Sequence, residues 1–111
     1  MKVAFAIEAG DGLNAQVCPN FGRAPRFLIV DSKDNSIEVL ENKAAQEAHG
    51  AGTGAAAMIS KHGVQAIVAG RFGPKAFDAL SGAEIAMYEA PADQTVKTVL
   101  EQIQAGTLKK L

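Results

Sequence analysis

Between Val17 and Val30 the chain cannot be helical. Pro19, Gly22 and Pro25 fall within nine residues of it. Proline removes a backbone donor and drives the preceding residue out of the helical region. The Phe27-Leu-Ile-Val30 run that follows is unbroken apolar, the pattern of a strand buried on both faces. A shaped loop is therefore fixed against a rigid strand, and loops held in this way tend to carry function. This one holds the single cysteine, Cys18, with Arg23 and Arg26 close by. A surface turn whose cysteine is a small filler fits the same residues.

The rest of the chain supplies partners for that strand. Val3 to Ile7 is a second apolar run, read as a buried first strand. Residues 9–24 make a long loop, and loops of that length in a small domain are functional or mobile. Only Leu13 is a large apolar residue between Glu8 and Gln16, so the loop is expected to be poorly ordered without ligand. Asp31 to Asn35 is turn-rich, and Ser36-Ile-Glu-Val39 alternates as an edge strand does. A helix then runs from the Gly50–Gly54 cluster to about His62, with Ala55, Met58 and Ile59 on one face and Gly63 as its stop. Val64 to Ala69 is a fourth strand. Pro74 suits the first position of a second helix, which buries Ala76, Phe77 and Leu80. Ile85 to Tyr88 is a fifth strand. Asp93 caps a last helix whose Val96, Val99, Leu100 and Ile103 recur at i, i+3, i+4 and i+7, and Gly106 ends it.

The element order is β-β-β-α-β-α-β-α. Strand–helix–strand units imply parallel neighbours with right-handed crossovers, and the hairpin makes strand two antiparallel. The expectation is one domain over residues 1–111, a three-layer α/β/α unit with a mixed five-stranded sheet. Composition agrees: 48% hydrophobic and 21% charged residues describe an ordinary globular domain. A net charge of −1 with no basic stripe argues against nucleic acid. Five apolar residues before Glu8 are too few for a leader or membrane span, and one cysteine forms no internal disulfide. The expectation is a cytoplasmic protein with no membrane partner.

In open α/β sheets, ligands sit beyond the carboxyl ends of the parallel strands. That rule brings the loops carrying Cys18, Arg23, Arg26, His49 and Arg71 to one rim. Two helices start there behind Gly50–Gly54 and Gly70–Gly73, and helix N-termini favour anions. Cys18 is a soft ligand and His49 a borderline one, a pairing for soft transition metals. Two such ligands are too few for a bare zinc ion. A preformed anionic metal cluster needs fewer, because amides and arginines hold the remainder. Gly50 to Ala55 spells G-x-G-x-x-A, but no strand ends directly before it and Arg71 stands where an acid is needed, which argues against a dinucleotide. Glu8 and Asp11 leave a metal-dependent phosphoryl-transfer enzyme as an alternative, and a regulatory partner-binding module with an emptied site is a third reading.

Three segments, CPNFGRAPRFLIVD from Cys18, AHGAG from Ala48 and VAGRFGPKAF from Val68, resemble the dinitrogenase iron–molybdenum cofactor biosynthesis family. The resemblance spans essentially the whole chain. It implies a ribonuclease-H-like fold and non-catalytic binding, carriage or transfer of an iron–molybdenum or iron–sulfur cluster, with cluster donor or acceptor proteins as partners and a monomer or weak dimer. Cysteine ahead of P-x-F-G is similar to the orange-protein branch, which implies a molybdenum–copper sulfide cluster. The positions it marks for cofactor binding are Asn20, Phe21, Gly22, Arg23, His49, Gly50, Gly52, Gly70, Arg71 and Gly73, with Cys18 as the metal ligand. Asn20 stands where many members carry histidine.

Overall fold

A computed structural model of the chain describes residues 1–45 and 50–111. Its strands are β1 (Lys2–Ile7), β2 (Arg26–Asp31), β3 (Ser36–Glu41), β4 (Ala66–Ala69), β5 (Ala86–Glu89) and β6 (Lys109–Lys110). The helices are α1 (Ala51–Ser60), α2 (Pro74–Gly82) and α3 (Val96–Ala105). The sheet order is β3-β2-β1-β4-β5-β6. β1 lies parallel to β4, and β4 to β5, whereas β2 is antiparallel to both β1 and β3.

The alternation of side chains along each strand sorts the core into two layers. Ala4, Ala6, Phe27, Ile29, Ile67 and Ala69 face α1 and α2, where Ala55, Ile59 and Leu80 meet them. Phe5, Ile7, Leu28, Val30 and Val68 face the other way, against Val96 and Val99 of α3. Alanines on the first face leave room for Phe21 and Phe27, whose ring centroids are 5.3 Å apart. That room is what lets the Cys18–Arg23 loop anchor directly on the sheet.

Several sequence expectations need correction. The sheet has six strands, not five. Gly106 takes a left-handed conformation (φ 74°) and turns the chain back, so Lys109 and Lys110 pair antiparallel with Glu89 and Tyr88. Backbone bonding and a Lys109–Glu89 ion pair (3.6 Å) hold that strand, so no apolar pattern announces it. The cap of α3 is Thr95, whose hydroxyl accepts from the Thr98 N–H at 3.3 Å, and not Asp93. Phe77 on α2 is exposed rather than buried. The first half of the loop, residues 9–16, is tethered although Leu13 is its only large apolar residue. Gln16 N–H donates to the Ala9 carbonyl (2.8 Å) and Val96 N–H to the Ala15 carbonyl (2.9 Å). Arg26 Nη2 donates to the carbonyls of Glu8 and Gly10. Main-chain bonds do there what apolar burial does elsewhere.

Candidate functional site: two clefts at the carboxyl rim

The loop after β1 crosses the carboxyl end of the sheet and is stitched to both strands beneath it. Cys18 N–H donates to the Ala6 carbonyl (2.7 Å), Gly70 N–H to the Cys18 carbonyl (3.0 Å), and Phe21 N–H to the Arg71 carbonyl (3.2 Å). The crossing is close enough to exclude side chains. A Cβ at position 70 would lie 2.6 Å from the Pro19 Cα. One at position 22 would lie 3.0 Å from Gly52, whose own Cβ would meet Ala76 at 2.9 Å. Glycine is needed here because backbone touches backbone. The loop thus meets α1 backbone to backbone, the Ala76 methyl alone lies against Gly52 where α1 meets α2, and the starts of both helices come to the rim.

Two clefts open on that rim, divided by Arg71. The first, of about 420 Å³, lies between the starts of α1 and α2. Among the described residues its cations are Arg23, Arg71 and Lys75, and none of those lining it is a carboxylate. Gly50 and Gly73 precede the two helices, and among the described residues no side chain caps either one. Their first N–H groups are left to the cleft, with the positive end of each dipole. The second cleft, of about 500 Å³, lies beyond β1, β4 and β5. Arg71 shares it with Glu8, Glu89 and Asp93. No group of three or more His, Cys, Asp or Glu side chains suited to a metal ion occurs among the described residues.

The positions marked from the sequence divide accordingly. Asn20, Gly22, Arg23, Gly50, Gly52, Arg71 and Gly73 line the basic cleft. Gly70 lines the acidic one. Asn20 folds its side chain back, Oδ1 accepting from the Gly22 N–H at 3.1 Å, and so shapes the loop. Phe21 is wholly buried and stacks between Phe27 and Phe72; it anchors the loop and reaches no cleft. Arg26 is tied to the loop carbonyls described above and faces neither cleft. His49 lies outside the described residues.

Cys18 departs furthest from expectation. It is 6% exposed and packs in the core under α1 and α2. Its Sγ donates to the Asn20 carbonyl at 3.4 Å. Burial pushes the thiol above its ordinary value of 9.0; the Asn20 bond opposes that, and nearby Glu8 adds to it. A buried, protonated thiol is a poor metal ligand, because the thiolate is the ligating form. The sequence missed Lys75, although its place just after Pro74 at a rim-facing helix start was a usable signal.

Fold and site together define a small α/β domain with a basic cleft between two helix starts at its rim. The chain belongs to the dinitrogenase iron–molybdenum cofactor family, whose sequence model matches residues 1–106. A solved relative is the apo orange protein of Desulfovibrio gigas, 33% identical, with a TM-score of 0.93 over 99% of this chain and 92% of that one. A NifB-like protein of Thermotoga, solved by NMR, is 30% identical with a TM-score of 0.86 over the same shares. An uncharacterized protein of Methanocaldococcus jannaschii is 36% identical over 99% of this chain and 91% of its own length. Relatives of this kind support a cofactor-related binding or carrier role.

Proposed function

We propose that this protein binds and carries an anionic metal–sulfur cluster during metallocofactor assembly, without catalysing a reaction on it. One observation carries the reading: among the described residues, three cationic side chains and two helix starts without a side-chain cap converge on a cleft that no carboxylate lines. Helix N-termini contribute about half a positive charge each, which suits a bulky anion that brings its own inorganic ligands. The cargo is then held by amides, guanidinium groups and Lys75, with Cys18 left as a structural thiol. An iron–molybdenum, iron–sulfur or molybdenum–copper cluster each fits this chemistry. The reading treats the β3-β2-β1-β4-β5 order as a ribonuclease-H-like sheet put to binding rather than hydrolysis. It places the protein in the cytoplasm among cluster donor and acceptor proteins, as a monomer or weak dimer.

The test is anaerobic titration with tetrathiomolybdate and cuprous ion, followed by desalting and a visible spectrum. Charge-transfer bands that travel with the protein at a fixed stoichiometry are expected. A colourless protein fraction, repeated with an iron–sulfur donor, overturns the proposal.

A further inference from the structure

Asn42 is the one buried polar side chain among the described residues, 7% exposed where the chain leaves β3. Every hydrogen-bonding group it has is used. Its N–H donates to the Pro25 carbonyl (3.0 Å), and its carbonyl accepts from the Ala45 N–H (3.3 Å). Nδ2 donates to the Ala24 carbonyl at 2.8 Å and, at longer range, to that of Gly22 at 3.4 Å. Oδ1 accepts from the Ala44 N–H at 3.1 Å.

These partners have a pattern. Gly22 and Ala24 flank Arg23, so Nδ2 grips the backbone on both sides of it. Ala45, whose N–H is bound by the Asn42 carbonyl, offers its own carbonyl to Arg23 Nη1 at 2.8 Å. Both the backbone of Arg23 and an acceptor of its guanidinium are therefore set by one residue. An apolar side chain could fill the same space without the cost of burying an amide. The amide is explained if residues 22–24 must be held in one place.

We propose that Asn42 is a positioning residue for Arg23, fixing that guanidinium on the wall of the basic cleft. This rests on the anion-binding reading of the cleft. Asparagine suits the task because one planar group supplies two donors and an acceptor, which aspartate and leucine do not.

The test uses the full chain and its Asn42→Ala, Arg23→Ala and doubly substituted forms. Tetrathiomolybdate with cuprous ion is the probe. Each single substitution is expected to weaken binding by about tenfold, the range for losing one charged hydrogen bond. The double variant should bind no worse than Arg23→Ala alone, because Asn42 acts through Arg23. Additive losses overturn the proposal. A second measurement needs no probe: 15N relaxation of the arginine Nε groups in the ligand-free protein. Arg23 should lose order in Asn42→Ala while Arg71 keeps it, and an unchanged Arg23 overturns the proposal. Should the parent bind no probe, the carrier reading fails and the relaxation result alone decides the role of Asn42. Should Asn42→Ala not fold, Asn42→Asp retains the acceptor and the volume while losing both donors, and serves in the same comparisons.

Discussion

Arg71 stands between two clefts of similar size and opposite charge. On the α1/α2 side, the cleft gathers two helix starts with Arg23 and Lys75. On the α3 side, it gathers the ends of parallel strands with Glu8, Glu89 and Asp93. The difference follows from chain direction. Helices that follow the rim loops begin there and point N–H groups into the space between them, while strands finish there and leave polar side chains just past their last residues. One sheet edge thus makes two electrostatic environments about one shared guanidinium. At an effective dielectric of about 20, unit charges roughly 4 Å apart interact by about 4 kcal/mol. On the proposed reading, a difference of that order would favour an anion in the first cleft over the second.

Reversing the shared charge should break the contrast most severely. Arg71→Glu is expected to weaken tetrathiomolybdate–copper binding by about ten- to a hundredfold, roughly 1.5–3 kcal/mol. Glu89→Gln, in the acidic cleft, should leave affinity within about twofold, because its ion pair with Lys109 is exposed and weak. Equal losses in both variants would mean diffuse attraction in place of a defined cradle.

The smallest expected effect on binding belongs to Cys18→Ala. Affinity should stay within about twofold, since the thiol lines neither cleft, and a large loss would restore Cys18 as a ligand. Its signature should be in stability instead. The folded thiol holds its proton to higher pH than the unfolded one. Stability is therefore full below the unfolded thiol's ordinary value and falls as pH rises through it. The stability difference between parent and Cys18→Ala should stay constant with pH if this is wrong, and move against the parent above the thiol's ordinary value if it is right.

The strands at Val3–Ile7 and Phe27–Val30 were legible because burial on both faces writes itself as an apolar run. The meeting of Arg23 and Arg71 was legible too, since strand direction alone brings those loops to one edge. Strand β6 was not, because backbone pairing holds Lys109 and Lys110 without an apolar signal. Thr95 lost to Asp93 as a cap because both fit the cap pattern, and the turn at Asp93 (φ 60°) places the helix start two residues on. The burial of Cys18 was not legible for a different reason. Residue type gives chemical capacity, but exposure depends on Pro19 lying against Gly70 and on Phe21 sinking into the sheet. Asn42 gave no sign at all, since a lone asparagine after a strand reads as a turn.

The most direct test of the two-cleft account is a 15N–1H amide titration of the parent protein with tetrathiomolybdate and cuprous ion. The account predicts the largest shifts at residues 20–23, 51–53 and 72–76, with Glu8 and residues 89–93 nearly still. Shifts centred on Glu8 and 89–93, or none localised at either cleft, would contradict it.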